Sequence, residues 1–302
     1  MKDGVSSVTF YHKRMIGGCS MPEMQTITKL PFTHSIQNHI YSDLRQIISR
    51  FSPVTLDEIQ DYALQDRVDT KYLIRLMDLP ALLKALYDSY SILEVETYKI
   101  NGYRTLYLDT PVLSFYHDHH NGKRPRYKIR MREYLSSGQV FFEIKKKENE
   151  FRTIKNRVEI SRIREYLTPT MRDFLSEYYP GEARNLQPAL WNTFDRITLV
   201  NNNTFERLTV DSGLSFFNNT NTLQLSHLAV LELKQSDFSR ASTIIQTLKL
   251  KGYQPISFSK YCTGIATLRT DVKRNRFKKN FLEFQASTKR TYDHVSFIPV
   301  HA

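Results

Sequence analysis

Residues 124–135 read RPRYKIRMREYL, and polar and apolar positions alternate through them. Arg126, Lys128, Arg130 and Arg132 fall in one register. Tyr127, Ile129 and Met131 fall in the other. A period of two predicts a β-strand with one face toward a core. Further strands are predicted over 65–76, 91–97, 103–109, 139–147, 151–160, 189–200, 205–211 and 227–235. Ser136-Ser137-Gly138 marks a hairpin turn between two of them.

Helical spacing is sparser. Ile40, Leu44, Ile47, Ile48 and Phe51 place a helix over 39–51. Asp78 and Pro80 open one over 78–90, Thr168-Pro169 another, and Ser161 is a further cap position. Ser239 and Gly252 bracket a helix over 239–252, and Ser257 caps a last one through about 270. Residues 273–302, basic and then aperiodic, read as a flexible tail. The expected organisation is an N-terminal extension over 1–64, partly helical or disordered, one strand-rich domain over 65–272, and the tail.

Composition narrows the function. The net charge is +12 (43 Lys and Arg against 31 Asp and Glu), which points to a polyanionic partner. Only two cysteines occur, with no CxxC pair, so a disulfide framework or a zinc site is not expected. No stretch has the length and apolarity of a membrane span or the apolar segment of a secretory leader, so the expected location is cytoplasmic. Gly122-Lys123 lacks the upstream glycine of a P-loop. The histidines of HDHH (117–120) read as part of a solvated loop, and Trp191 as core.

The strand faces carry the chemistry. The cationic register of 126–132 is matched by Arg67/Asp69/Lys71, Glu143/Lys145/Lys147, Lys155/Arg157/Glu159, Arg196/Thr198, Arg207/Thr209/Asp211 and Glu232/Lys234. One alternative is an ordinary wet face, with Arg130 and Arg132 paired to Glu143 or Glu159 in a cross-strand ladder. The other is a barrel with a polar interior, which fits a phosphate chain better than duplex nucleic acid.

The strings DTKY (69–72), YLDT (107–110), RYKIRMREY (126–134), FFEIKKK (141–147), IKNRVEI (154–160), LELK (231–234) and FSKYCTG (258–264) resemble, in order, the VTC domain. This is the catalytic domain of the vacuolar transporter chaperone complex and its bacterial stand-alone relatives, within the triphosphate tunnel metalloenzymes. The resemblance implies an α+β fold: an eight-stranded antiparallel tunnel barrel with helices packed outside. It implies an ATP-dependent inorganic polyphosphate polymerase using Mn²⁺ or Mg²⁺, with ATP and inorganic polyphosphate as partners and no nucleic acid. By motif position, Arg130, Arg132, Lys145, Lys155 and Arg196 are the catalytic cations. Lys71, Arg207, Lys234 and Lys260 are substrate contacts, Lys260 near the tunnel mouth, and Glu232 is the metal ligand. The related triphosphatases and cyclases open with E-x-E-x-K, whereas this chain has Arg67-Val-Asp69-Thr-Lys71. That departure favours polymerisation over a triphosphatase or nucleotidyl cyclase. A non-catalytic polyanion-binding protein is the third reading. The oligomeric state is left open.

Overall fold

The computed structural model describes residues 31–59, 68–150, 152–201, 203–204, 206–291 and 298–299; Arg67 lies outside them. The strands are β1 (Pro53–Val54), β2 (Val68–Arg75), β3 (Tyr90–Leu93), β4 (Asn101–Asp109), β5 (Arg126–Tyr134) and β6 (Val140–Lys147). They continue with β7 (Thr153–Ile160), β8 (Gln187–Asn201), β9 (Arg207–Phe217), β10 (Asn221–Leu225), β11 (Leu228–Gln235) and β12 (Ile298–Pro299). The helices are α1 (Pro31–Ser49), α2 (Leu79–Lys84), α3 (Ser114–Asn121), α4 (Pro169–Tyr178), α5 (Thr243–Leu250), α6 (Lys260–Leu268) and α7 (Lys278–Thr291).

Eight strands form the wall of the tunnel, in the order β2-β11-β9-β8-β4-β5-β6-β7, all antiparallel. Among the described residues β2 and β7 end this path without pairing to each other, so the ring carries a seam there. Beside it, the Ile256 amide donates to the Lys71 carbonyl at 2.8 Å. Register follows from the apolar alternation: Ile129 faces Ile144 and Met131 faces Phe142 across β5 and β6, all four buried. The β5–β6 hairpin closes through the Tyr134 amide on the Gln139 carbonyl (2.9 Å), with Gly138 in the left-handed region the turn needs.

The outward faces pack on helices. Leu44, Ile47, Ile48 and Phe51, from α1 and the turn after it, join α2 and α5 over Tyr72, Ile74, Leu199, Val210, Leu231 and Leu233. Met171 and Leu175 of α4 pack with Phe142 and Ile144. The Thr168 hydroxyl caps α4 by accepting from the Met171 amide.

Helix α6 takes a different place. Its Tyr261 ring lies 5.1 Å from that of Tyr107, which shares the inward register of Thr105. A Cβ at Gly264 would come within 2.5 Å of Leu190 and 2.9 Å of Phe216, which lie on the same face. The helix therefore stands in the bore beside β8 and β9. Ser259, not Ser257, is its cap, accepting from the Cys262 amide at 3.3 Å.

Other expectations need correction. HDHH is not loop: it belongs to α3, whose Phe115, Tyr116 and His120 are buried. Buried Asp109 starts this helix by accepting from the amides of Thr110, Phe115 and Tyr116 and from the Tyr261 hydroxyl. The tail expected as loose from 273 carries α7, and Phe277, Asn280 and Phe284 are buried. No helix follows Ser161; α5 begins at Thr243 rather than near Ser239; the 78–90 helix stops at Lys84. The helix expected over 39–51 is α1, which starts earlier, at Pro31.

Candidate functional site: a cation-lined bore

Three buried or half-buried carboxylates organise the inward face. Glu143 on β6 accepts from Arg130 Nε at 2.6 Å, and Lys155 Nζ lies 2.6 Å from its other oxygen as an ion pair. Burial works to raise the Glu143 carboxyl, but Arg130, Arg132 and Lys155 hold it far below the ordinary range. Asp211 on β9 accepts from Arg196 Nε and Nη2 at 2.5 and 2.8 Å, a bidentate pair, and also binds Lys260 Nζ. Burial opposes its ionisation too, yet Arg196 and Lys260 bring it to about 2.

Glu232 on β11 faces Lys71 on β2 in register and pairs with its ammonium group. Burial would raise the carboxyl, but Lys71, Lys234 and Arg196 hold it well below normal. Lys234 in turn faces Asp69 and Arg207 across its two neighbouring strands.

Arg132, Lys128 and Lys145 have no carboxylate anchor of this kind among the described residues. Arg132 is buried, donates to the Thr105 hydroxyl at 3.2 Å, and sits over the rings of Tyr103 and Phe194. Lys128, Lys145 and Lys155 are direct neighbours on β5, β6 and β7. Lys128 donates to the Ser259 hydroxyl at 3.0 Å. Lys145 has no ion pair among the described residues; it is open to solvent within a cleft but walled by protein around its stem. Its pKa falls to about 7, through desolvation first and then through the charges of Lys128, Arg130 and Lys71, with Glu232 opposing. Burial, with Arg126, Arg130 and Lys71, also lowers Lys128.

These side chains open into a cleft of about 560 Å³, the size of a small-ligand site. Its lining includes Asp69, Lys71, Arg126, Lys128, Lys145, Lys147 and Glu232. The structure thus brings Lys71, Lys145 and Glu232 together in the cleft, with Arg130, Arg132, Lys155 and Arg196 deeper or alongside. Lys260, expected near the mouth, lies instead at the inner end, on Asp211 and 4.2 Å over the Phe194 ring. Arg207 and Lys234 share the inward register but do not line the cleft. Lys128, Arg126, Glu143 and Asp211 were not among the expected site residues, although each shares a register with one that was.

Among the described residues no three His, Cys, Asp or Glu side chains cluster as a protein-only metal cage. A hard divalent ion that arrives with phosphates needs only one or two carboxylates, and Glu232 in the cleft fits that role.

The VTC domain matches residues 66–269. The chain belongs to the VTC domain family. A search of characterised proteins by sequence finds no match. Solved structures with partial likeness include a candidate adenylyl cyclase from Hippeastrum for which a dominant triphosphatase activity is described. It is 14% identical, with a TM-score of 0.42, over 68% of this chain and 97% of its own. Candidate adenylate cyclases from Bacillus halodurans (14% identity, TM-score 0.37, 71% and 98% covered) and Vibrio parahaemolyticus (13%, 0.36, 62% and 87%) show similar overlap. The family assignment rests on the domain match.

Proposed function

We propose that this VTC domain is an ATP-dependent inorganic polyphosphate polymerase. The observation that carries the reading is the run Lys128–Lys145–Lys155 across three adjacent strands, of which Lys128 and Lys145 line a cleft with Lys71 and Glu232. Cations held this close against their mutual repulsion are arranged for a chain of phosphates.

The chemistry favours transfer to phosphate over transfer to water. Hydrolysis calls for a group that takes a proton from water. Here Glu143 and Asp211 are each tied to two cations and Glu232 to Lys71. The terminal oxygen of a polyphosphate chain is already ionised and needs no base. It attacks the γ-phosphorus of ATP, the β–γ anhydride bond breaks, ADP leaves, and the chain grows by one unit. Arg130, Arg132, Lys145, Lys155 and Arg196 hold the transferring group and the chain end, which leaves catalysis to positioning and charge. Lys71 and Lys260 guide the flanking phosphates, and Arg207 and Lys234 extend the cationic wall. A divalent ion, Mn²⁺ or Mg²⁺, supplies further charge neutralisation when bound, and Glu232 would hold it. Among the described residues no helix is long and apolar enough to cross a membrane; the proposed location is where ATP is made available, the cytoplasm.

The test is a gel stained for polyphosphate after incubation with ATP, Mn²⁺ and a trace of pyrophosphate. A ladder that is lost in Glu232→Ala and Lys145→Ala is expected. Orthophosphate without a ladder would replace this reading with a triphosphatase.

A further inference from the structure

The basic segment 273–279 is a built part of the surface. Phe277 is buried beside Tyr116 and His120, at 6.0 and 5.8 Å between ring centres. The Tyr116 hydroxyl donates to the Lys273 carbonyl and His120 Nε2 meets Asn275 Oδ1 at 2.7 Å. Arg276 Nη1 donates to the His120 carbonyl at 2.9 Å. Asn280, buried, donates to the Ser257 carbonyl at 3.1 Å, and Lys279 reaches the Pro255 carbonyl at 3.4 Å. Pro255 and Ser257 are themselves part of the cleft wall. A sequence that reads as a solvated tail is thus pinned to the rim of the site, beyond the residues the VTC domain matches.

Arg276 and Lys279 tie the segment down, and the cations remain at the surface. Lys273, Arg274, Arg276, Lys278 and Lys279 are all exposed. They meet the cleft at Arg126, which lies within the field of Arg124 and Arg276. The convergence registers on His119, which burial and then Lys128, Arg126 and Arg276 drive down to about 2. Nearby acids do not neutralise the ridge: Asp118 pairs with Lys123, Glu150 with Arg124 and Asp271 with Arg269, while Glu283 sits beside Lys279 in a shallow pocket. Arg126, Pro255 and Ser257 line the cleft, and the last two also hold this segment, so a chain reaching out of the cleft past Arg126 meets the ridge.

We infer that the ridge 273–279 is an outer binding track for inorganic polyphosphate, engaging chains too long for the cleft as they leave past Arg126. The inference rests on the polymerase reading only for where the chain comes from; the binding it asserts is measured separately. A single exposed Lys–phosphate contact is weak and screened by salt, but a fixed row of them binds a long polyanion by releasing its counterions.

The test compares tripolyphosphate with a long polyphosphate in the full chain and in the triple variant Lys273→Gln/Arg274→Gln/Lys278→Gln. None of the three residues lines the cleft. The expected result is unchanged tripolyphosphate affinity and long-chain affinity at least about tenfold weaker, with a salt slope shallower by about 2 units. A control with Lys273→Arg and Lys278→Arg keeps full binding. Long-chain affinity unchanged in the triple variant overturns the track. So does loss of binding to vesicles of anionic phospholipid with polyphosphate binding intact, which assigns the ridge to a membrane surface. If tripolyphosphate fails to bind the wild type while long chains bind through the ridge, the track stands and the polymerase reading falls.

Discussion

Replacing Glu143 with Gln removes the negative charge that Arg130 and Lys155 share. The carboxylate is 1% exposed, Arg130 18% and Lys155 42%. The Lys155 limb is wet enough to be worth only about 0–1 kcal/mol. The Arg130 limb is nearly dry, and stranding a partner of such a pair costs about 3–5 kcal/mol, less whatever hydration Arg130 keeps. About 3 kcal/mol is the expected loss. At about 2–4 °C per kcal/mol for a chain somewhat smaller than this one, thermal unfolding should fall by roughly 6–12 °C. The assay is a thermal melt with and without tripolyphosphate. A ligand at a hundred times its Kd adds about 2.7 kcal/mol to the form that binds it. The variant interior, one negative charge poorer, should bind tripolyphosphate more tightly, so the gap to wild type narrows on loading. A variant that melts within about 2 °C of wild type, or a gap that tripolyphosphate leaves untouched, refutes the claim that Glu143 balances the charges of Arg130 and Lys155.

Binding of tripolyphosphate should weaken as pH rises above about 7, where Lys145 loses its proton in the empty cleft. The slope approaches about tenfold per pH unit until the loaded pKa is passed. Lys145→Arg should flatten it in titration calorimetry between pH 7.5 and 9.5, where the ligand's own last ionisation is common to both proteins and cancels in the comparison. For stability the carboxylates set the acid limb: Glu143, Asp211 and Glu232 are all depressed, so their contribution is full above about pH 4.5 and drains away as pH falls toward about 2; a denaturant midpoint constant over that window would contradict the ion pairing. Gly264→Ala should cost about 1–3 kcal/mol in chemical denaturation, because its methyl meets Leu190 and Phe216. Asp109→Asn should cost about 1–3 kcal/mol by the same measurement, as an amide cannot accept from all of the Thr110, Phe115, Tyr116 and Tyr261 donors.

Much of the wall was legible because period two is a strong signal when one face is apolar. Ile129, Met131, Phe142 and Ile144 fix the β5–β6 register with little help from context. The cations followed from the same alternation. What hid was whatever depends on contacts distant in the chain. Glu143 reads locally as a wet-face acid, and only the fold shows it holding Arg130 and Lys155. Asp211 matters because α6 delivers Lys260 to it from 49 residues on. α3 was missed because SFYHDHHN is short and polar, and its N-terminus is satisfied by Asp109 rather than by a residue at the cap. The spacing of Phe277, just before α7, with Phe281 and Phe284 inside it was present in the sequence, but the surrounding cations masked it.

The unpaired seam between β2 and β7 bears on how the wall yields. A ring hydrogen-bonded all round can widen only by breaking a ladder of backbone bonds. A split ring behaves as a clamp: its lips part by flexing the sheet, and the Ile256–Lys71 link is the backbone tie beside them. The lysine on each lip is already paired across its own sheet, Lys71 to Glu232 and Lys155 to Glu143, so a polyanion laid between the lips competes with those carboxylates for both.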